Sequence, residues 1–416
     1  MASAVNTLLV EGSFDDQVAE LAEYIDSLKG GEPTLVPELQ PMLEKGEKED
    51  VMEKLVEASS ALSQAPEKEY IPAYNLLIHL IRTSPLLPSL LDTVTANLAL
   101  PLKNSSNGPS LSLSILTTIF NVLPPNSSLR SEVFRNIVTI VEENGLFEAL
   151  KPQLKSLDRW LSEWDAGIEH TREVLVMVAN VAEKAGDSLF YELLLQALQR
   201  FPADEADEEE AQEIAVRVVK AAISLPHHME FGDLTTLEPI KALAGEQPDL
   251  YQLFEIFVGG EYQDLEEFIE ERDGWLEQNN IDEAIVIRKM RLLTLASLAA
   301  SSPDRSLAYS RIATGLRIPA EEVELWVIDV IRAGLVEGKL SQLNQTFLIH
   351  RVTYRKFERQ EWVEIQNRLE TWKESLRNIK EVVAAARKQV ENQTEKEKTA
   401  AERMLQHSGD GVLGEA

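Results

Sequence analysis

The histidines of this chain do not follow the spacings that enzymes use for chemistry, and its 70 acidic residues are too many for any one carboxylate pair to be informative. None of the six histidines forms His-Glu-x-x-His or His-x-His, and the adjacent pair His227-His228 follows Pro226 in a predicted loop. A zinc site needs three or four ligands held on folded elements, and no cysteine is present to supply a thiolate. The sequence contains no phosphate-binding loop and no Gly-x-Ser-x-Gly nucleophile motif. We therefore predict that the chain is not an enzyme and that it binds no metal and no cofactor.

A helix-turn-helix pattern begins at Ser306, and its second helix carries acidic residues where a DNA reader carries basic or amide ones. Glu321, Glu322 and Glu324 occupy the half that would face base edges, and Asp329 follows. Carboxylates placed next to phosphates repel them strongly. The pattern therefore excludes DNA as a partner.

A basic cluster follows in the predicted wing and at the start of the next helix. Its members are Arg351, Arg355, Lys356 and Arg359. Lysine and arginine side chains at the edge of a small fold can bind phosphates. The cluster allows an RNA contact, and the alternative is that these side chains are simply solvated.

A seam of apolar residues, spaced alternately by three and four, is the most informative pattern of the chain. The seam consists of Trp362, Ile365, Leu369, Trp372, Leu376, Ile379 and Val383. This spacing is the a/d repeat of a coiled coil, and charged residues flank it. Each Å² of apolar surface left in water is unfavourable by about 25 cal/mol. The first half is within reach of the wing, but the second half extends beyond a domain of this size. We therefore predict that the seam binds a helix of a partner protein.

The charge of the chain is distributed unevenly. Residues 1–350 carry a net charge of −31, whereas residues 351–403 carry +3. An acidic body of this size repels nucleic-acid backbones. The first twelve residues contain no secretory signal, and apolar stretches such as Leu292 to Ala300 are shorter than a bilayer span. We expect a soluble cytoplasmic protein that binds no membrane.

Helical periodicity positions these residues. Predicted helices include 14–28, 49–62, 110–122, 129–144, 168–184 and 211–224, separated by clusters of Gly, Pro, Asn and Ser. Helices of this length joined by short turns favour a right-handed solenoid of antiparallel pairs, either tetratricopeptide-like or HEAT-like. Trp160 and Trp164 lie one turn apart, which favours core packing over an aromatic cage. Trp275 and Trp326 are expected inside the protein as well.

The C-terminal part follows a different pattern. Ser306 to Gly315 is predicted as a helix capped by Asp304, and Gly315 suits its left-handed end. A second helix from Ala320 ends at Gly334, and two strands follow around Asn344-Gln345. The predicted domains are helical repeats over 1–200, further helices over 201–303, a winged helix over 304–354, a long helix over 355–403 and a disordered tail over 404–416.

Several segments of the chain resemble the PCI-domain family. The resemblance is carried by Leu157-Asp-Arg-Trp-Leu-Ser-Glu-Trp164, by Lys289-Met-Arg-Leu-Leu-Thr294, by Glu322-Val-Glu-Leu-Trp-Val-Ile-Asp-Val-Ile-Arg332, and by Arg355-Lys-Phe357 followed by the seam. The resemblance is clear from about residue 145 to 380, and it is weak in the N-terminal segment before that. The chain is most similar to the PCI-domain subunits of eukaryotic translation initiation factor three. The segment 387–416 departs from the pattern because it is longer than the family leads us to expect.

The resemblance implies a scaffold rather than a catalyst. Proteins of this family are subunits of the proteasome lid, the signalosome and initiation factor three. Their fold ends in a winged helix followed by a trailing helix that joins a bundle. The implied partners are other PCI-domain subunits of initiation factor three and, indirectly, the small ribosomal subunit. A subunit of the signalosome or of the proteasome lid is the alternative.

Overall fold

The computed structural model describes residues 12–30, 33–100, 102, 107–164, 167–206, 208–302, 304–355 and 359–409. Within these ranges it contains twenty α-helices and three short strands, and the three strands all follow residue 300. The prediction of a mainly α-helical fold that ends in a winged helix and a long helix is confirmed. The right-handed solenoid stays a prediction.

The chain divides into two compact units. The first comprises Met1–His228, Leu234–Phe254 and Asn280–Asp282, and the second comprises Met229–Asp233, Glu255–Asn279 and Glu283–Ala416. The helices up to residue 259 are α1 (Phe14–Lys29), α2 (Leu35–Lys45), α3 (Lys48–Ala58), α4 (Glu67–Ile81), α5 (Leu87–Leu98), α6 (Gly108–Val122), α7 (Leu129–Asn144), α8 (Phe147–Leu154), α9 (Leu157–Trp164), α10 (Ile168–Lys184), α11 (Leu189–Leu198), α12 (Glu209–Ser224), α13 (Glu238–Glu246) and α14 (Pro248–Gly259).

Local sequence explains how the first helix begins, ends and packs. The Ser13 hydroxyl accepts a hydrogen bond from the Asp16 backbone N–H, and the Asp16 carboxylate accepts one from the Ser13 N–H. Gly30 ends the helix in the left-handed conformation, at φ 68°. Val18, Leu21 and Ile25 form the buried face, as their spacing predicts.

An aromatic cluster joins α6, α7 and α9 in the first unit. The Trp160 ring lies 4.9 Å from the Phe120 ring and 5.9 Å from the Phe134 ring, measured between centroids. Trp164 stacks on Trp160 at 6.4 Å and is buried. The two indoles thus pack against apolar neighbours, as residues of this size usually do.

The second unit contains the remaining elements of the described chain. They are α15 (Tyr262–Glu271), α16 (Trp275–Gln278), α17 (Glu283–Ala300), β1 (Ser306–Ala308), α18 (Tyr309–Leu316), α19 (Val323–Arg332), β2 (Val336–Ser341), β3 (Thr346–Val352) and α20 (Arg359–Gly409). The strands form one antiparallel sheet in the order β1-β3-β2. Ser306 pairs with Leu348 on one side of β3, and Val336 pairs with Val352 on the other.

The start of the winged helix differs from the sequence prediction. Residues Ser306–Ala308 form a strand instead of the first turn of a helix, and the helix begins at Tyr309 with Ala308, not Asp304, at its N-cap. A three-residue strand is too short for its alternation to be recognised in the sequence. The winged helix therefore has three strands instead of two.

Gly315 serves close packing and not a left-handed helix end. It lies inside α18, and a Cβ built on it would stand 2.6 Å from Leu298 Cδ1 of α17. The left-handed residue at the end of α18 is Arg317, at φ 49°. The prediction for Gly315 was wrong because glycine also allows two helices to approach closely, and sequence alone does not separate the two roles.

Lys289 is buried in α17 between aromatic rings. Its side chain is 2% exposed, and its Nζ lies 5.0 Å from the centre of the Phe231 ring and 5.9 Å from that of Phe257. Burial disfavours the charged ammonium and lowers the pKa of Lys289 to about 7. The aromatic faces offset part of that cost.

Replacing Lys289 by methionine is expected to stabilise the protein near neutral pH, because it removes a buried charge and keeps the side-chain volume. Lysine in an unfolded chain has a pKa of about 10.4. The folded pKa is lower, so the cost of Lys289 is complete below pH 7 and decreases as the pH rises toward 10. The stability advantage of the variant should shrink by about 1 kcal/mol per pH unit between pH 7 and pH 9. Urea unfolding of the variant and of the natural chain at pH 7 and pH 9 measures this stability advantage. An equal advantage at both pH values would contradict this account.

The long C-terminal helix extends further than predicted. It begins at Arg359 and ends at Gly409, so residues 404–409, expected in a disordered tail, are helical. The last residues of the tail, 410–416, lie outside the described residues. The disordered tail was expected because the last residues contain three glycines, but the helix continues up to the first of them, Gly409.

Candidate assembly surface

The seam on α20 is exposed along its whole length. Exposure of its seven side chains ranges from 37% for Ile365 to 67% for Trp372. Val363 and Val382, which the seam prediction did not include, are also exposed beside it. Solvated helices rarely carry two tryptophans and a row of aliphatic residues on one side. The second unit thus presents a narrow apolar stripe whose spacing suits a partner helix.

Arg355 fixes the chain just before α20 begins. Its Nη1 donates hydrogen bonds to the Gly260 carbonyl at 2.8 Å and to Ser297 Oγ at 3.1 Å. Its Nη2 donates to the carbonyls of Phe257 at 2.6 Å and Ile256 at 3.2 Å. These carbonyls lie at the C-terminal end of α14, where a positive charge is favourable. Burial lowers the pKa of Arg355 to about 10, and Glu261 opposes that shift.

Of the four predicted RNA-contacting residues, the structure describes the side chains of two, Arg351 and Arg355. Arg355 is occupied by backbone carbonyls and is therefore removed from this set. Arg351 is exposed and donates to the Glu337 carboxylate on β2 at 3.0 Å. Lys356 lies outside the described residues, and the side chain of Arg359 is not described either. An RNA contact at Arg351 stays a prediction.

The acidic residues of the second helix divide into two kinds. Glu324 accepts hydrogen bonds from Tyr309 Oη at 3.3 Å and from Gln342 Nε2 at 2.8 Å, and Asp329 pairs with Arg288 at 2.9 Å. Glu321 and Glu322 are exposed. Burial, and then the Glu324 carboxylate, raise the pKa of Tyr309. Two of the four carboxylates therefore brace the winged helix, and the other two face solvent.

The core face of α19 is formed by valines. Val323, Val327 and Val330 are fully buried, as their spacing predicts, but Trp326 is only half-buried, under the guanidinium of Arg291 at 5.4 Å. Trp275 is also half-buried. Both indoles were predicted to lie inside the protein, and neither is fully buried. Leu325 and Ile328 are exposed on the outer face, which the sequence analysis missed. Their three-residue spacing, off the valine stripe, was the available signal.

The described residues contain no group of three His, Asp or Glu side chains that could hold a metal ion. Within the same residues, no helix has the length and apolar character to cross a membrane.

Comparison with protein families places the second unit in a known class. A family model of the PCI domain matches residues 266–351, which covers α17, α18, α19 and the three-stranded sheet. The protein is thus a PCI-domain protein. A second family model, described as the C-terminal helix of eIF3 subunit M, matches residues 355–383. It begins at Arg355 and ends at Val383, the last residue of the seam.

Similarity to relatives extends over nearly the whole chain. The eukaryotic translation initiation factor 3 subunit M of Phaeosphaeria nodorum is 46% identical over 413 residues, covering 97% of this chain and 94% of the relative. The subunits M of Aspergillus oryzae and Coccidioides immitis are each 43% identical, covering 93% and 92% of this chain and 88% and 89% of those relatives. The chain belongs to the family of eukaryotic translation initiation factor 3 subunit M.

The segment 387–416, which is longer than the resemblance leads us to expect, is partly matched by these relatives. The first of these relatives leaves only 3% of this chain unmatched, which is about a dozen residues. That is fewer than the segment contains, so at least part of it is shared with the relative. The extension beyond Ala386 is therefore not, as a whole, peculiar to this chain.

Proposed function

We propose that this chain is a non-catalytic scaffold subunit of eukaryotic translation initiation factor 3 in the cytoplasm. It joins the complex through the α20 seam and through contacts of its PCI domain with other PCI-domain subunits. In that position it supports assembly of the pre-initiation complex on the small ribosomal subunit and recruitment of mRNA. The observation that carries the proposal is the exposed seam, which coincides with the helix matched to the subunit M family.

Exposure of the seam to water is energetically unfavourable. Its seven side chains are exposed in the chain by itself, and apolar surface is unfavourable in water by about 25 cal/mol per Å². A helix laid along the seam would remove most of that surface from water. The alternating spacing gives a straight stripe that a second helix follows over several turns. A partner helix therefore supplies what the isolated chain lacks.

The anchoring of Arg355 supports the same function. Four hydrogen bonds of Arg355 tie the residues before α20 to α14 and α17 of the second unit. A docking helix held at its base by a folded domain loses less freedom when it binds than a free peptide does. Arg355 thus fixes the chain to the second unit shortly before the start of α20.

Affinity isolation of the tagged full-length chain, followed by mass spectrometry, tests the proposal. The expected co-isolated proteins are the other subunits of initiation factor 3, together with proteins of the small ribosomal subunit. Recovery of cullins or of proteasome subunits in their place would assign the chain to the signalosome or the proteasome lid and would overturn the proposal.

A further inference from the structure

We propose that the helix that binds the α20 seam belongs to a different protein and carries a row of carboxylates along one edge. This inference rests on the proposed function, because it specifies the chemistry of the partner at the same seam. It follows from the charges beside the seam and from what those charges would meet if two copies of this chain paired.

The seam spacing fixes which residues flank it. A step of three followed by a step of four makes Trp362 an a position and Ile365 a d position of the heptad. Each e position directly follows a d position, and the first e position is Gln366. The next three e positions are Lys373, Lys380 and Arg387, which we call the basic edge. All three are exposed, seven residues apart, on the same side of the seam. A partner helix lying in the seam has its own flanking residues directly beside this edge.

The helix itself does little to neutralise the two lysines of the basic edge, Lys373 and Lys380. Opposite charges three or four residues apart are neighbours on a helix surface. Lys380 has no Asp or Glu at either spacing on either side, and Lys373 has only Glu370. The lysines thus differ from Arg377, which has Glu374 and Glu381 at these spacings. The charge of the edge is therefore available to select a partner.

Pairing with a second copy of this chain is unfavourable in both orientations. In an antiparallel pair, e positions face e positions, so the basic edge would meet itself. In a parallel pair, Lys373 and Lys380 would face the positions of Arg368 and Ser375, neither of which is acidic. Like charges at these positions are destabilising, and they disfavour one pairing relative to another. The edge thus disfavours self-association and favours a helix with Asp or Glu at its facing positions.

RNA is the other polyanion that a basic row attracts. The basic edge differs from an RNA-binding surface because exposed apolar side chains of the seam run alongside it instead of polar groups. Aromatic platforms for bases use isolated rings in a positive groove, whereas most seam residues are aliphatic. The combination of an apolar stripe with one charged edge is that of a helix pair, so we commit to a protein helix.

The test compares two double variants within the intact complex, isolated through a tag on the full-length chain. Lys373→Glu with Lys380→Glu reverses the edge, and Arg377→Glu with Lys388→Glu makes the same charge change away from it. We expect the edge variant to be held about tenfold more weakly by the other subunits, because two favourable edge pairs become unfavourable. The control variant should be held as the natural chain is. Equal retention of both variants would overturn the inference. It would leave the proposed function standing, because that function is tested by which proteins the natural chain co-isolates.

A zero-length carbodiimide crosslink identifies what the edge contacts, because this reagent joins a lysine amine only to a carboxylate in direct contact. Mass spectrometry of the crosslinked natural complex should find Lys373 and Lys380 joined to Asp or Glu of another subunit. Links to a second copy of this chain would overturn the inference. Loss of the complex after ribonuclease treatment, with no carboxylate link at either lysine, would assign the edge to RNA and would overturn it equally.

Discussion

Replacing Trp372 and Leu376 by aspartate is expected to release this chain from its complex while its own fold persists. Both side chains lie at the middle of the seam and are about two-thirds exposed in the isolated chain. Burying a carboxylate in place of each would remove apolar contact and add an unpaired charge at the interface. The combined loss is about 5 kcal/mol, which corresponds to an affinity lower by more than a thousandfold. Sedimentation of cell extracts measures how much of the chain travels with the large complex.

The matched control places the same charges on the opposite side of α20. Asn367→Asp with Asn378→Asp adds two carboxylates to exposed positions outside the seam. That variant should sediment with the complex. Circular dichroism should find the helical content of both variants close to that of the natural chain, because surface substitutions usually change stability by about 0.5 kcal/mol or less. Complex membership retained by the seam variant would contradict the docking role.

Replacing Arg355 by alanine is expected to destabilise the second unit by about 3 kcal/mol. The guanidinium satisfies the carbonyls of Ile256, Phe257 and Gly260 and also contacts Ser297. Its removal takes a donor away from these carbonyls in a largely buried site, although the Ile256 carbonyl still accepts from the Gly260 N–H. The urea midpoint for this unit should fall by about 1.5 M. Faster amide exchange around the end of α14 should accompany the fall, because that helix end loses its anchor.

Arg351→Ala is the control for this prediction. Arg351 belongs to the same basic cluster in the sequence, but it is exposed and its ion pair with Glu337 is solvated. Exposed pairs contribute about 0 to 1 kcal/mol, so the urea midpoint should hardly change. If both substitutions lowered the midpoint equally, the anchoring role of Arg355 would be refuted.

Helices with clear amphipathic patterns and clear breakers were predictable from the sequence. The bounds of α7 and α10 match the predicted 129–144 and 168–184, because Gly145 and Gly167 mark one end of each and the apolar stripes are regular. Helices α2 and α5 were not predicted. Each contains proline near its start, which is tolerated in the first turn but interrupts the pattern that sequence analysis searches for.

The seam was predictable because its information is local, but the exposure of its first half, which lay within reach of the wing, was not. Periodicity specifies which residues share one side of a helix, but only the fold reveals whether another element covers them. Arg355 illustrates the same limit from the other direction. Its partners lie 58 to 99 residues earlier in the chain, so nothing in its neighbourhood distinguishes it from Arg351. The basic cluster therefore suggested a shared role that the structure divides between an anchor and an exposed ion pair.

Site-specific photo-crosslinking along α20 tests the central claim most directly. A photoreactive amino acid placed singly at Leu369 or Leu376 samples the seam, and one placed at Glu374 or Glu381 samples the opposite face. The account predicts that the seam positions crosslink to a helix of another initiation factor 3 subunit and that the outward positions do not. Crosslinks from the seam to this chain itself, or equal yields from both faces, would contradict the claim that the seam is a docking surface for another subunit.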